Sequence, residues 1–201
     1  LTAVREQDPE RIVFVPAMGW QDYNYIKYAR VAEEDPNAVV SFHYYLPMLL
    51  SHYKMLAWVG YQGAVQYPGV VIPTQSDADK YPQYASFHKT TYNADRIMGE
   101  MSNAASDGRN AGLAVHCGEF GCSKNVAEAM RLAWFTDMVA AMEANNIPWT
   151  LWECLDGGFG FVDMEYGIYR INCPLLKVLT GKELTDAEAK ALLQKYGFKT
   201  E

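Results

Sequence analysis

The sequence has no run of about 18 consecutive apolar residues, so it offers no ordinary membrane-spanning helix. No glycine-rich phosphate loop follows any of its apolar runs, which leaves dinucleotide binding unsupported. Basic residues are in the minority: 17 Lys and Arg stand against 24 Asp and Glu, for a net charge of -7. Nucleic acid is a poor partner for such a chain, because neutralising phosphates needs a basic surface. Cysteine is sparse as well. Cys117, Cys122, Cys154 and Cys173 match no zinc spacing and are expected to be free, buried thiols, and the redox compartment stays open. His43, His52, His88 and His116 show no paired metal spacing either. No signal peptide is visible, and Leu1 reads as lying within a domain rather than ahead of one.

Apolar residues, in contrast, make up half of the 201, enough to bury the core of one domain or of a substantial part of a larger one. Aromatics are plentiful, with five Trp and fourteen Tyr. Most such residues pack cores. A surplus also suits sugar binding, since an indole or phenol face covers the apolar face of a pyranose while its polar edge bonds hydroxyls. The acidic balance is compatible with a neutral substrate of that kind.

Four short apolar runs stand out: 11–16 (RIVFVP), 38–45 (AVVSFHYY), 112–119 (GLAVHCGE) and 147–152 (IPWTLW). Each is short, β-branched or aromatic, and near-continuously apolar at its start. That pattern predicts strands buried on both faces of a parallel sheet. Helical patterns separate them. Asp22 is placed to cap a segment with Tyr25, Ile26, Ala29 and Ala32 at helical spacing, ending near Asp35 and Pro36. Tyr84, Phe87, Thr91, Ala94, Ile97, Met98 and Met101 form one stripe, ending near Asp107 and Gly108. Asn125 with Glu128 reads as a capping box, and Thr185 with Glu188 as another. The order is βα repeated four times. Two architectures fit it: an open doubly wound sheet, or part of a closed (β/α)₈ barrel.

The polar residues fall where such folds bind ligands. Each strand begins apolar, and the later ones end in His43 and Tyr45, in Glu119, and in Trp152. His43 and Tyr45 are two apart and share a face if the strand is regular. Tyr45 on an adjacent strand is expected to reach Glu119, orient its carboxylate and hold it ionised, as a nucleophilic carboxylate requires. Trp152 is placed to form a floor under a sugar. Taken singly, each has a plainer reading: a helix-start charge for the Glu, a core residue for the His or Trp. Their delivery to one sheet edge by three consecutive strands favours the joint reading. The segment 46–80 is long for a βα loop, and its His52, Trp58 and glycines are expected to shape a cleft, the alternative being an excursion with a small core of its own.

The motifs HYY (43–45), GEFG (118–121) and LWE (151–153), with the Gly19 and Trp20 pair after the first strand, resemble the strand signatures of glycoside hydrolase family 5, the cellulase family of retaining (β/α)₈ enzymes. The run from Tyr44 to Trp58 is similar to the histidine-and-tryptophan loop of its bacterial endoglucanase-like members. The resemblance extends from about residue 11 to 180. It implies a (β/α)₄ half-barrel corresponding to strands five to eight. It implies Glu119 as nucleophile, Tyr45 as the residue that orients it, and His43 as substrate-binding histidine within the catalytic group. Trp152 becomes the sugar-stacking tryptophan, with Trp20 and Trp58 as further sugar contacts. It implies a β-linked polysaccharide substrate, retention of configuration, no metal or cofactor, and secretion.

The chain departs from the family pattern in lacking the first four strands, with the Arg and His they carry in the family, and the acid/base motif. The family's general acid/base glutamate sits in an Asn-Glu-Pro motif, and no Asn-Glu occurs here. Glu153 and Asp156 lie near the same edge without a context for that role. Residues 1–201 are therefore expected to be a single partial domain, with 182–201 as a C-terminal helix. A complementary half-barrel, or self-association, is expected to complete it. A carbohydrate-binding or scaffold half-barrel without catalysis is the alternative.

Overall fold

A computed structural model describes residues 1–30, 35–55, 60–155 and 157–201. In chain order the strands are β1 (Val13–Pro16), β2 (Ala38–Tyr44), β3 (Gly69–Val70), β4 (Thr91–Tyr92), β5 (Ala114–Phe120), β6 (Trp149–Leu151), β7 (Val162–Glu165) and β8 (Ile168–Ile171). The α-helices are α1 (Thr2–Gln7), α2 (Met18–Gln21), α3 (Met48–Ser51), α4 (Gln75–Lys80), α5 (Ala94–Asn110), α6 (Glu128–Ala144), α7 (Cys173–Thr180) and α8 (Asp186–Lys195). The chain divides into two compact units: residues 1–44, 98–120 and 141–150, and residues 45–97, 121–140 and 151–201.

The first unit is organised by a sheet of order β1-β2-β5-β6, in which β1 and β5 each pair in parallel with β2. Its strands form because β-branched and aromatic side chains fit a pleated surface. Val40, Phe42, Tyr44, Cys117 and Phe120 are fully or almost fully buried on one face. Met101, Ala104, Ala105, Ala141 and Met142 are buried with them. Gly108 lets α5 close on β5: a Cβ there would lie 2.3 Å from Val115 Cγ2. The opposite face is less covered. Phe14 is 53 % exposed, and the burial of β1 alternates residue by residue. The expectation of strands buried on both faces is thus corrected: among the described residues only one face is fully packed.

The second unit gathers segment 45–97 with most of α6, the β7–β8 hairpin, α7 and α8. Segment 46–80 is not a bare loop. Tyr61, Val65, Tyr67, Val71 and Ile72 are buried, the Tyr61 and Tyr81 rings pack at a tilt with centroids 4.8 Å apart, and β3 pairs antiparallel with β4. Trp134, Phe135 and Met138 of α6 are fully buried, and so is Leu175 of α7. Thr185 and Glu188 form the capping box of α8, and Asn172 caps α7.

Three helix expectations are corrected. After β1 the chain makes a 3-10 helix over Tyr23–Tyr28 instead of a long α-helix, and Ala29 is already extended. Asp22 does cap it, accepting from the Asn24 backbone N–H, an Asx-type turn that competes with a full helix. Ala32 lies outside the described residues. The Tyr84 to Met101 stripe is split into a 3-10 helix, Pro82–Lys89, then β4, then α5, because the Thr90–Tyr92 backbone is drawn into pairing with Val71 and β3. Asn125 is not the cap of α6, which starts at Glu128. Its amide donates instead to the Tyr53 carbonyl at 3.2 Å. The cysteines are all free, but only Cys117 and Cys122 are buried. Cys154 is exposed and Cys173 half-buried, since both lie outside the sheet core.

Candidate active site

Glu119 lies near the C-terminal end of β5, beside β2. The register runs Ser41 with His116 and Phe42 with Cys117, then slips so that His43 faces Glu119 and Tyr44 faces Phe120. Gly118 is the extra residue, a β-bulge of the kind that re-aims side chains beside functional sites. Without it, alternation would send Glu119 to the side where Cys117 is buried. With it, Glu119 shares the face of His43, and its Oε2 is 3.4 Å from His43 Nδ1. The two side chains are 26 % and 21 % exposed, open enough to meet a solute and enclosed enough to feel each other. Burial pulls the His43 pKa below the usual imidazole value, and the Glu119 carboxylate opposes that pull. The Cys117 thiol, raised by burial, donates to the Glu119 carbonyl at 3.3 Å. Asp22 bridges in parallel to His43 and ties the segment after β1 to the same end of the sheet.

Trp20 belongs to this unit. It is 98 % exposed and sits in a turn where Gly19, Trp20 and Gln21 all have φ near 62°. Two successive L side chains in the left-handed region are costly, and such costs concentrate at functional positions. Gly19 is also spatially required, since a Cβ would lie 2.8 Å from the Tyr25 ring.

The second unit holds Tyr45 and Trp152, while Trp58 lies outside the described residues. The Tyr45 ring packs at 4.9 Å from His52 and 5.8 Å from Phe159. Ser51 is fully buried; its hydroxyl donates to the Tyr45 carbonyl and is 2.9 Å from His52 Nδ1. Burial lowers the His52 pKa. Trp152 is 45 % exposed, and its peptide bond to Glu153 is cis. Gly121 makes room for that segment: a Cβ would stand 2.3 Å from the Trp152 carbonyl and 2.9 Å from the Phe159 ring. Arg131, buried in α6, donates to the carbonyls of Cys122, Phe159 and Gly160 and so fastens the same stretch.

Of the residues expected from sequence, the structure brings His43 and Glu119 together in the first unit, to which Trp20 also belongs. Tyr45 and Trp152 belong to the second. Sequence reasoning missed Ser41, Ser51, Phe159 and Arg131. It also missed the bulge, although a signal for it existed: Cys117 and Phe120 are both buried, three apart where a regular strand would space them by two. Among the described residues, no group of three or more His, Cys, Asp or Glu is placed to hold a metal ion. No helix among them is long and apolar enough to cross a membrane.

Comparison with known proteins places this arrangement in context. Endoglucanase C of Acetivibrio thermocellus is 22 % identical over 175 residues, covering 83 % of this chain and 48 % of the relative. Endoglucanase H of the same organism is 25 % identical over 169 residues, covering 84 % of this chain and 15 % of the relative. Among solved structures, a hyperthermophilic endo-β-1,4-glucanase in complex with substrate superposes with a TM-score of 0.67 at 21 % identity, over 90 % of this chain and 51 % of the other. The cellulose synthase subunit Z of Clostridioides difficile gives a TM-score of 0.67 at 21 % identity, over 89 % and 52 %. These structures show the fold: α/β, of the TIM-barrel type, with this chain matching about half of each. The chain likewise spans about half the length, or less, of the curated relatives it matches. The family profile described as Cellulase (glycosyl hydrolase family 5) matches residues 1–158. With most of its length matched by that profile, the chain belongs to glycosyl hydrolase family 5, the cellulase family.

Proposed function

We propose that this chain carries the nucleophile side of a retaining, endo-β-1,4-glucanase-like glycoside hydrolase, with Glu119 as the attacking carboxylate. The observation that carries the reading is the Glu119 and His43 pair at 3.4 Å, raised onto one face at the C-terminal end of a parallel sheet. That is where α/β barrels do chemistry. The substrate class is a β-linked glucan, consistent with membership of the cellulase family.

The mechanism is a double displacement. A Glu119 carboxylate oxygen attacks the anomeric carbon, and a glycosyl ester forms as the bond to the leaving oxygen breaks. A second carboxylic acid, at about 5–5.5 Å, protonates that oxygen and then takes a proton from the water that hydrolyses the ester. No Asn-Glu pair occurs in these 201 residues, so the proposal assigns the second acid to a complementary half-barrel. His43, kept neutral by burial, faces the Glu119 carboxylate at 3.4 Å and presents Nδ1–H to it. Tyr45 orients the same carboxylate, and Trp152, with its half-exposed indole, supplies the floor under the reacting sugar. The proposal keeps Trp20 and Trp58 as further sugar contacts, the roles that the family resemblance gives them. Cellulose-type polymers lie outside the cell, and secretion is part of the proposal.

Replacing Glu119 with Gln keeps the shape and removes the charge. In the enzyme assembled with its complementary half, turnover of cello-oligosaccharides should fall by roughly 10³-fold or more. Activity within tenfold of the parent would overturn the assignment. Binding that persists in E119Q, followed by Trp fluorescence, separates loss of chemistry from loss of fold.

A further inference from the structure

Glu119 reaches its partner only because β5 is irregular, and the cause of that irregularity is local. We infer that Gly118 and Ser41 form a positioning pair: the bare backbone at 118, seated against the Ser41 hydroxyl, keeps β5 bulged and so keeps Glu119 on the His43 face.

Three observations carry this. First, the register slips between Phe42 and His43, so that Gly118 and Glu119 together oppose His43. Bulges are rare in parallel pairing, and this one is not inherited from ordinary ladder geometry. Second, a Cβ at residue 118 would lie 2.4 Å from Ser41 Oγ, with His43 Cδ2 and the Phe42 carbonyl both at 3.7 Å. Ser41 is only 8 % exposed, so its hydroxyl has little open space to turn into. Third, the bulge is pinned on the other side of the strand. Cys117 and Phe120 are both fully buried, and the Cys117 thiol spans the bulge to the Glu119 carbonyl. A side chain at 118 meets Ser41, and the relief open to the strand is to flatten, which gives up the burial of Phe120 opposite Tyr44. Flattening returns residue 119 to the side on which Cys117 is buried and takes its carboxylate away from His43. Gly118 and Ser41 act through Glu119 and touch no substrate.

The inference deepens the nucleophile reading, and its test does not depend on turnover. In the 201-residue chain, the His43 imidazole is titrated by NMR in the parent, E119Q, G118A and the double variant G118A/S41A. The Glu119 carboxylate raises the His43 pKa against burial, so E119Q is expected to titrate at lower pH than the parent. G118A should shift in the same direction as E119Q, and G118A/S41A should return towards the parent. G118A that titrates as the parent does would overturn the inference. If G118A does not fold, a folded double variant supports the contact, and a double variant that also fails to fold counts against it. Failure here leaves the E119Q turnover test untouched, and the converse holds too.

Discussion

Three imidazoles make the stability of this chain sensitive to acid. Burial lowers the pKa of His43, His52 and His116 below the ordinary value near 6.5. Between the folded and unfolded values, the unfolded chain binds more protons than the folded one. Stability is therefore full above about pH 6.5 and falls as pH drops through that value towards the folded pKa values. His116 is the most separable of the three. Its Nδ1 is buried without a hydrogen-bond partner among the described residues, its Nε2 is 3.2 Å from Thr150 Oγ1, and its ring meets Phe14 edge-on at 4.9 Å. Thermal melts between about pH 7 and 5 should show a steady loss of stability in the parent. His116→Phe keeps the aromatic packing and removes one titrating group, so its melting temperature should vary less over the same range. An equal slope would mean that His116 does not feel its burial. None of this was legible in the sequence, where a histidine in an apolar run reads alike whether or not its second nitrogen finds a partner. The place of Glu119 at the C-terminal end of its strand was legible, because the apolar run 112–119 leads straight into it.

Elements whose pattern is decided locally were read well, and elements decided by distant partners were not. The four strands of the main sheet were found within a few residues because β-branched runs leave little choice. Helix α8 was found with its cap, because the capping box is a contact between residues three apart. The stripe from Tyr84 failed because β3 recruits the Thr91–Tyr92 backbone, pairing Val70 with Thr91 and Gly69 with Tyr92 across a sequence distance that periodicity cannot register. Arg131 is a similar case. On sequence it is one more charged residue in a helix; in the structure it is 4 % exposed and serves three carbonyls of other segments. Arg131→Met fits the volume but strands those carbonyls, and each buried group left unmet costs about 1–3 kcal/mol. Urea unfolding should show a loss of about 3 kcal/mol, with Arg131→Lys intermediate because an ammonium does not reproduce the guanidinium fork. A change within 0.5 kcal/mol, roughly the spread of ordinary surface substitutions, would show that water replaces the guanidinium.

At the scale of the whole molecule, the first unit displays a sheet face that its own residues do not fill. A trough of about 500 Å³ is lined by Ile12, Phe14, Val39, Leu113, His116 and Ile147, and Ile12 and Phe14 are more than half exposed. Among the described residues, β1 and β6 lie at the ends of the sheet order, each with a sheet neighbour on one side only. Apolar surface of this kind in water favours association, and this chain matches only about half of each solved structure that shares the fold. We therefore expect the 201 residues alone to self-associate with rising concentration, and light scattering over a dilution series is the measurement. Phe14→Lys should shift the population towards monomer without changing the far-ultraviolet circular dichroism, because a charge at that exposed position opposes apolar contact and leaves the packed face intact. Supplying residues that complete the barrel should compete with self-association and raise the melting temperature by mass action. A chain that stays monomeric at every concentration, and melts in one sharp transition, would mean that this face needs no cover. The half-barrel would then be a folding unit in its own right, and the second carboxylate would have to reach Glu119 without a shared sheet to place it.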